Sequence, residues 1–125
     1  MLTVTKIFKF EAAHWLPFYD GACHNLHGHS YKLEVTVTGK INDNTENPQC
    51  GMIIDFSVLK GIVEEKIIRR FDHSNLNDFF SNPTAENMVE YFAESINMAL
   101  PTNIVLVSIK LWETDSSYAE ITRDV

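Results

Sequence analysis

The 125-residue chain predicts an α+β fold built on a mostly antiparallel sheet. Three observations carry this. Two stretches before residue 42 alternate apolar and polar residues with the period of a strand. Two central stretches place apolar residues at helical spacing. Two more alternating stretches close the chain. Strands and helices therefore come in runs, which is the order of an α+β domain and not of a parallel α/β sheet. A chain of this length is expected to form one domain over residues 1–125, with a buried core.

The first strand is expected from Thr3 to Ala13. Val4, Lys6, Phe8, Phe10 and Ala12 fall on one face, with Thr5, Ile7, Lys9 and Glu11 on the other. Pro17 to Gly21 reads as a loop. Ser30 to Ile41 gives the clearest alternation, with Tyr31, Leu33, Val35 and Val37 opposite Lys32, Glu34, Thr36 and Thr38. Asn42 to Gln49 is polar and turn-forming, so Gly51 to Ile54 is expected to return as a hairpin strand.

Asp55 reads as the N-cap of a first helix. Val58, Leu59, Ile62, Val63 and Ile67 form its apolar stripe, and Glu64, Glu65, Lys66, Arg69 and Arg70 its wet side. Asp72 to Pro83 is a polar loop. A second helix starts near Asn82-Pro83-Thr84 and carries Met88, Val89, Phe92, Ile96 and Leu100 on one face until Pro101. Ile104 to Trp112 and Tyr118 to Thr122 are the last strands, joined through Asp115-Ser116-Ser117.

The formal charge of −7 argues against a general nucleic-acid binder, which needs a basic face. It leaves room for an anionic small molecule, because a metal in a pocket outweighs the global sign. No apolar run is long enough to span a bilayer. The first residues do not read as a secretory signal, so a cytoplasmic protein is expected, with Cys23 and Cys50 reduced.

Four of the five histidines lie between residues 14 and 29. In Cys23-His24-Asn25-Leu26-His27-Gly28-His29, an extended backbone points His27 and His29 to one face. His14 ends the first strand, the expected neighbour. Three imidazoles suit zinc, and three protein ligands leave a coordination position for chemistry. Cys23 has three readings: a base or nucleophile with a lowered pKa, a fourth ligand closing a structural site, or a small buried apolar residue. His24 is read as facing solvent or the site wall, and Cys50 as structural or incidental. Asp72-His73 is either a carboxylate-oriented imidazole poised for proton transfer or a helix C-cap. Glu113, at a strand end, is either a solvated rim residue or a two-oxygen acceptor for a guanidine-like N–H pair.

Taken in order, these pieces resemble the 6-pyruvoyl-tetrahydropterin synthase family over nearly the whole chain. The matching segments are Phe10-Glu11-Ala12-Ala13-His14, Cys23-x-x-x-His27-Gly28-His29 and Gly51-Met52-Ile53-Ile54-Asp55-Phe56 with Leu59-Lys60. They continue with Phe71-Asp72-His73-x-x-Leu76-Asn77, Asn82-Pro83-Thr84-Ala85-Glu86-Asn87 and Trp112-Glu113-Thr114. The three-residue gap between Cys23 and His27 is similar to the branch of 6-carboxytetrahydropterin synthases of queuosine biosynthesis. Trp112 departs from the family pattern, and Ser117 to Val125 gives no diagnostic match.

The resemblance implies a tunnelling (T-)fold: a four-stranded antiparallel sheet with two helices on one face, closing into a barrel as trimers that stack into a homohexamer. It implies Zn²⁺ on His14, His27 and His29. Cys23 would act as the base, with His73 oriented by Asp72. Glu113 would hold the pterin edge, helped by backbone groups around Thr84 and Ala85. The implied substrate is 7,8-dihydroneopterin triphosphate, converted with loss of triphosphate and acetaldehyde. Lys6, Lys9, Lys60, Arg69 and Arg70 are the candidates for holding the triphosphate. The rival readings are a pyruvoyl-forming synthase, an aldolase-like cleavage of dihydroneopterin, and a non-catalytic zinc-binding module.

Overall fold

The structure, a computed structural model, describes residues 1–124. Val125, the last residue of the expected domain, lies outside the described residues. Strand β1 (Val4–His14) and strand β2 (His27–Gly39) follow the alternation of their sequences. Phe8, Phe10 and Ala12 are buried on β1, as are Tyr31, Leu33, Val35 and Val37 on β2, while Lys9 and Glu11 between them face water. The two strands pair antiparallel in a register that sets Val4 opposite Val37 and His14 opposite His27.

Between β2 and the first helix the expected hairpin is absent. Asn42 to Ile54 is a loop, and Gly51 to Ile54 is no strand. The reason is local. The side chains of Asn42, Asn44 and Asn47 each accept the amide hydrogen two residues on, giving the backbone partners that a ladder would otherwise supply. Gly51 takes a φ of 87°, which favours glycine. Ile53 and Ile54 still enter the core.

Helix α1 (Phe56–Val63) begins at Asp55, whose carboxylate accepts the Ser57 amide at 2.8 Å. It continues through a π-helical turn (Glu64–Ile68) into α2 (Arg69–Phe71). Leu59, Val63, Ile67 and Phe71 are fully buried and spaced by four. Four-residue spacing drifts around a helix of 3.6 residues per turn. The wider turn resets that drift and returns Ile67 and Phe71 to the core side. Strand β3 (Ser74–Asn75) follows, then helix α3 (Ala85–Ala99) capped by Thr84. Strands β4 (Ile104–Thr114) and β5 (Ser117–Thr122) form the closing hairpin.

The sheet runs β3-β1-β2-β4-β5. This corrects the expected four-stranded antiparallel sheet: among the described residues it has five strands, and β3 pairs parallel with the outer edge of β1 at Ala12 and Ala13. The four long strands are antiparallel throughout. One sheet face joins the buried faces of the helices in a single core that includes Leu33, Val63, Phe71, Met88, Phe92 and Leu111. The opposite face is lined by Lys9, Glu11, Ser30 and Lys32. Among the described residues no helix is long and apolar enough to cross a membrane.

Candidate metal centre and catalytic site

The paired ends of β1 and β2 place three imidazoles on the helix-covered face of the sheet. His14, His27 and His29 each offer a ring nitrogen, and these nitrogens lie within 4.8 Å of one another. The rings meet edge-on, with centroids 4.6 to 5.0 Å apart. His14 is fully buried. Its Nδ1 lies 2.8 Å from the Pro83 carbonyl, and the Nδ1 of His27 lies 2.7 Å from the Asn25 carbonyl. A carbonyl oxygen only accepts, so each Nδ1 carries the hydrogen and each Nε2 presents a lone pair.

Those two Nε2 atoms face one another at 3.1 Å. Two lone pairs at that distance repel unless a cation, either a proton or a metal ion, lies between them. His29 adds a third nitrogen: its Nε2 is buried without a hydrogen-bond partner among the described residues. Glu113 Oε1 stands 3.5 Å away, an ion-pair distance outside hydrogen-bonding geometry. Burial holds His29 below the ordinary imidazole pKa, with His14 and His27 adding to the shift and Glu113 opposing it. The neutral form, which binds metals, is thereby favoured. The donor set fits a cation that prefers imidazole nitrogen.

The surroundings come from three further elements. Pro83, the carbonyl partner of His14, precedes the α3 N-cap, so Thr84 and Ala85 are the next residues along from the triad. Glu113 arrives from β4 of the same chain. Tyr31 follows His27 and His29 at the next same-face position on β2, and its hydroxyl lies 3.4 Å from His14 Nδ1. Burial, and secondarily Glu113, push this phenol above its ordinary pKa. Tyr31 is not singled out by the sequence reading, although the two-residue period that pairs the histidines also reaches it.

The Asp72–His73 pair is built on the outer edge of β1. Asp72 Oδ1 accepts the Glu11 amide at 2.9 Å and lies 3.1 Å from His73 Nδ1. The His73 amide donates to the Glu11 carbonyl at 2.5 Å. Glu11 thus grips both residues, and His73 is held at a φ of 61°, rare for a residue with a side chain. The Glu11 amide holds the Asp72 carboxyl below the usual carboxylate range, with His73 adding and burial opposing. The His73 ring is exposed and borders a cavity of about 400 Å³ shared with Lys9, Glu11, Ser30 and Lys32.

Within one chain, therefore, the triad and Glu113 come together; Asp72 and His73 are not part of the three-nitrogen group, although His73 and His29 both line one open cavity beside Ala13 and Gly28. Cys23 sits half-buried in a short 3₁₀ turn (Ala22–His24), and its thiol is not part of the three-nitrogen group. Cys50 is exposed. His24 is exposed, 3.3 Å from the Leu16 carbonyl. Trp112 packs on Tyr118 and under Lys32, and its indole N–H donates to Glu34.

Comparison with known proteins bears on this arrangement. A family model described as 6-pyruvoyl tetrahydropterin synthase matches residues 3–124. The 6-carboxy-5,6,7,8-tetrahydropterin synthase of Haemophilus influenzae is 32% identical over 142 residues, spanning 96% of this chain and 98% of that protein. The dihydroneopterin monophosphate aldolase of Pyrococcus furiosus is 35% identical over 113 residues, spanning 90% of each. The solved structure of Caenorhabditis elegans 6-pyruvoyl tetrahydropterin synthase is similar with a TM-score of 0.83 at 26% identity, covering 98% of this chain and 96% of that one.

Proposed function

The chain belongs to the 6-pyruvoyl tetrahydropterin synthase family, and we propose that it is a zinc-dependent, cytoplasmic 6-carboxy-5,6,7,8-tetrahydropterin synthase. Its substrate in this reading is 7,8-dihydroneopterin triphosphate, which loses triphosphate and acetaldehyde. The observation that carries the reading is the pair of Nε2 lone pairs of His14 and His27 meeting at 3.1 Å, with the unpartnered His29 Nε2 beside them. The Haemophilus relative bears the name of this activity, and the three-residue gap between Cys23 and His27 favours the same branch.

His14, His27 and His29 are the residues that would hold the ion. When bound, zinc supplies Lewis-acid polarisation of substrate oxygens. Cys23 is assigned as the base that takes a proton from the substrate side chain. Asp72 fixes the His73 ring through Nδ1 and leaves Nε2 free to exchange a proton. Glu113 accepts the paired N–H groups of the pterin edge, and the first peptide groups of α3 at Thr84 and Ala85 border the ring. In the single chain Asp72 and His73 lie outside the three-nitrogen group, and β5 leaves a sheet edge open. A ring of copies answers both, pairing the edge and bringing the dyad of one chain to the triad of the next. A homohexamer of two stacked trimers is proposed on this ground.

Incubating the metal-loaded protein with dihydroneopterin triphosphate and weighing the pterin product by mass spectrometry tests the reading. The carboxy-tetrahydropterin is expected, with acetaldehyde released. The Pyrococcus relative, at 35% identity, keeps an aldolase outcome in view. A product cleaved to the hydroxymethyl pterin would move the chain to that activity, and a pyruvoyl product to the other branch. Retained metal with no turnover would leave the non-catalytic module.

A further inference from the structure

The Asp-His segment does more than carry the dyad. From Asp72 to Asn77 it runs along the outer edge of β1, residue against residue. Asp72 and His73 hold Glu11. Ser74 and Asn75 pair with Ala12 and Ala13. The main-chain pairing ends there, one residue short of His14.

Asn77 continues it with its side chain. Its Oδ1 accepts the Trp15 amide hydrogen at 2.9 Å, and its Nδ2 donates to the Trp15 carbonyl at 2.9 Å. A primary carboxamide has a donor and an acceptor side by side, so it satisfies one residue's main chain as a neighbouring strand would. The gripped amide belongs to the peptide unit that begins at His14's own carbonyl carbon. Asn77 is itself held, its amide donating to Asn75 Oδ1 at 3.1 Å, and Leu76 beside it is fully buried. The backbone is thus fixed on both sides of His14: by Ala12 and Ala13 before it and by Trp15 after it.

We propose that Asn77 is a positioning residue for the three-histidine site, its carboxamide fixing the Trp15 main chain and so the entry of His14 into the triad. This rests on the reading of the triad as a metal site. Freed of the clamp, the main chain after His14 enters the loop of Trp15 to Asn25 unheld on its outer side, and the His14 ring's approach to His27 loosens, resting on the Pro83 contact and the β2 pairing alone. Groups that orient a metal ligand are worth about 10–100-fold in metal affinity.

The test is zinc affinity, measured by competition with a chromophoric chelator on the full chain, together with the visible spectrum of the cobalt-substituted protein. Asn77→Ala is expected to weaken zinc binding at least about tenfold and to alter the cobalt bands. Asn77→Asp keeps the acceptor and sets a second oxygen against the Trp15 carbonyl, so it is expected to weaken binding as well, and it is the informative variant if alanine does not fold. Val63→Ala, a core truncation on α1, is the stability control: a lower melting temperature with unchanged zinc affinity. Wild-type affinity in both Asn77 variants, or an equal loss in Val63→Ala, overturns the positioning role and leaves the metal site standing. A wild-type chain that binds no zinc overturns both.

Discussion

His14 and Pro83 are joined by a 2.8 Å hydrogen bond between the imidazole Nδ1 and the carbonyl just ahead of the α3 N-cap. The contact spans 69 positions in the chain. It orients the ring so that Nε2 points toward His27, and it ties the helix start proposed for the pterin to the proposed metal ligand. A carbonyl partner is the usual way a metal-bound histidine is held in one tautomer.

Removing one imidazole is therefore expected to dismantle the proposed centre. His27→Ala is expected to lose both bound zinc and turnover, as read by metal analysis of the purified protein and by product formation. A zinc-replete His27→Ala protein would take this residue out of the ligand set.

Cys23 lies outside the three-nitrogen group, so its loss should separate binding from chemistry. Cys23→Ala is expected to keep its zinc while turnover falls about 10²–10⁴-fold, the usual worth of a positioned base. Unchanged turnover would exclude the thiol from the mechanism.

The Asp72 carboxyl is held below the usual range, first by the Glu11 amide. Its folded pKa lies under its unfolded value of about 3.9, so its stabilising effect is present above that value and disappears as pH falls through the depressed folded pKa. The melting temperatures of wild type and Asp72→Asn should differ above about pH 4 and converge as the pH falls below it. A difference that persists undiminished through the acid range contradicts the assignment.

Thr84 and Phe92 test the frame that carries the site. The Thr84 hydroxyl accepts the Asn87 amide at 3.1 Å. Thr84→Ala should cost about 1 kcal/mol through loss of the cap. Phe92 is fully buried against Phe10 and Phe71. Phe92→Ala should cost about 3–5 kcal/mol through lost burial and the cavity it leaves. Chemical denaturation reads both, and equal costs would contradict the packing described.

Much of this was legible in the residue order. The two-residue period carries β1 and β2, and it aligns His27, His29 and Tyr31 on one face. Asp55 and Thr84 announce their helices because a short polar acceptor before an apolar stripe has one favourable use. The loop from Asn42 to Ile54 misleads, because turn-forming asparagines suit a hairpin as readily as the successive side-chain turns that form. Strand β3 is too short to leave a periodic signal. The grip of Asn77 on Trp15 and the approach of Glu113 to His29 join distant positions, and only the folded chain brings them together. The π-helical turn hides in the four-residue spacing from Leu59 to Phe71, which reads as an ordinary helix until its drift is followed.

X-ray absorption at the zinc edge of the loaded protein tests the centre most directly. One zinc per chain is expected, with a first shell of nitrogen and oxygen at about 2.0–2.1 Å, three of the scatterers showing the outer-shell pattern of imidazole. A sulfur scatterer at about 2.3 Å would place the Cys23 or Cys50 thiol on the metal and contradict an open three-histidine site.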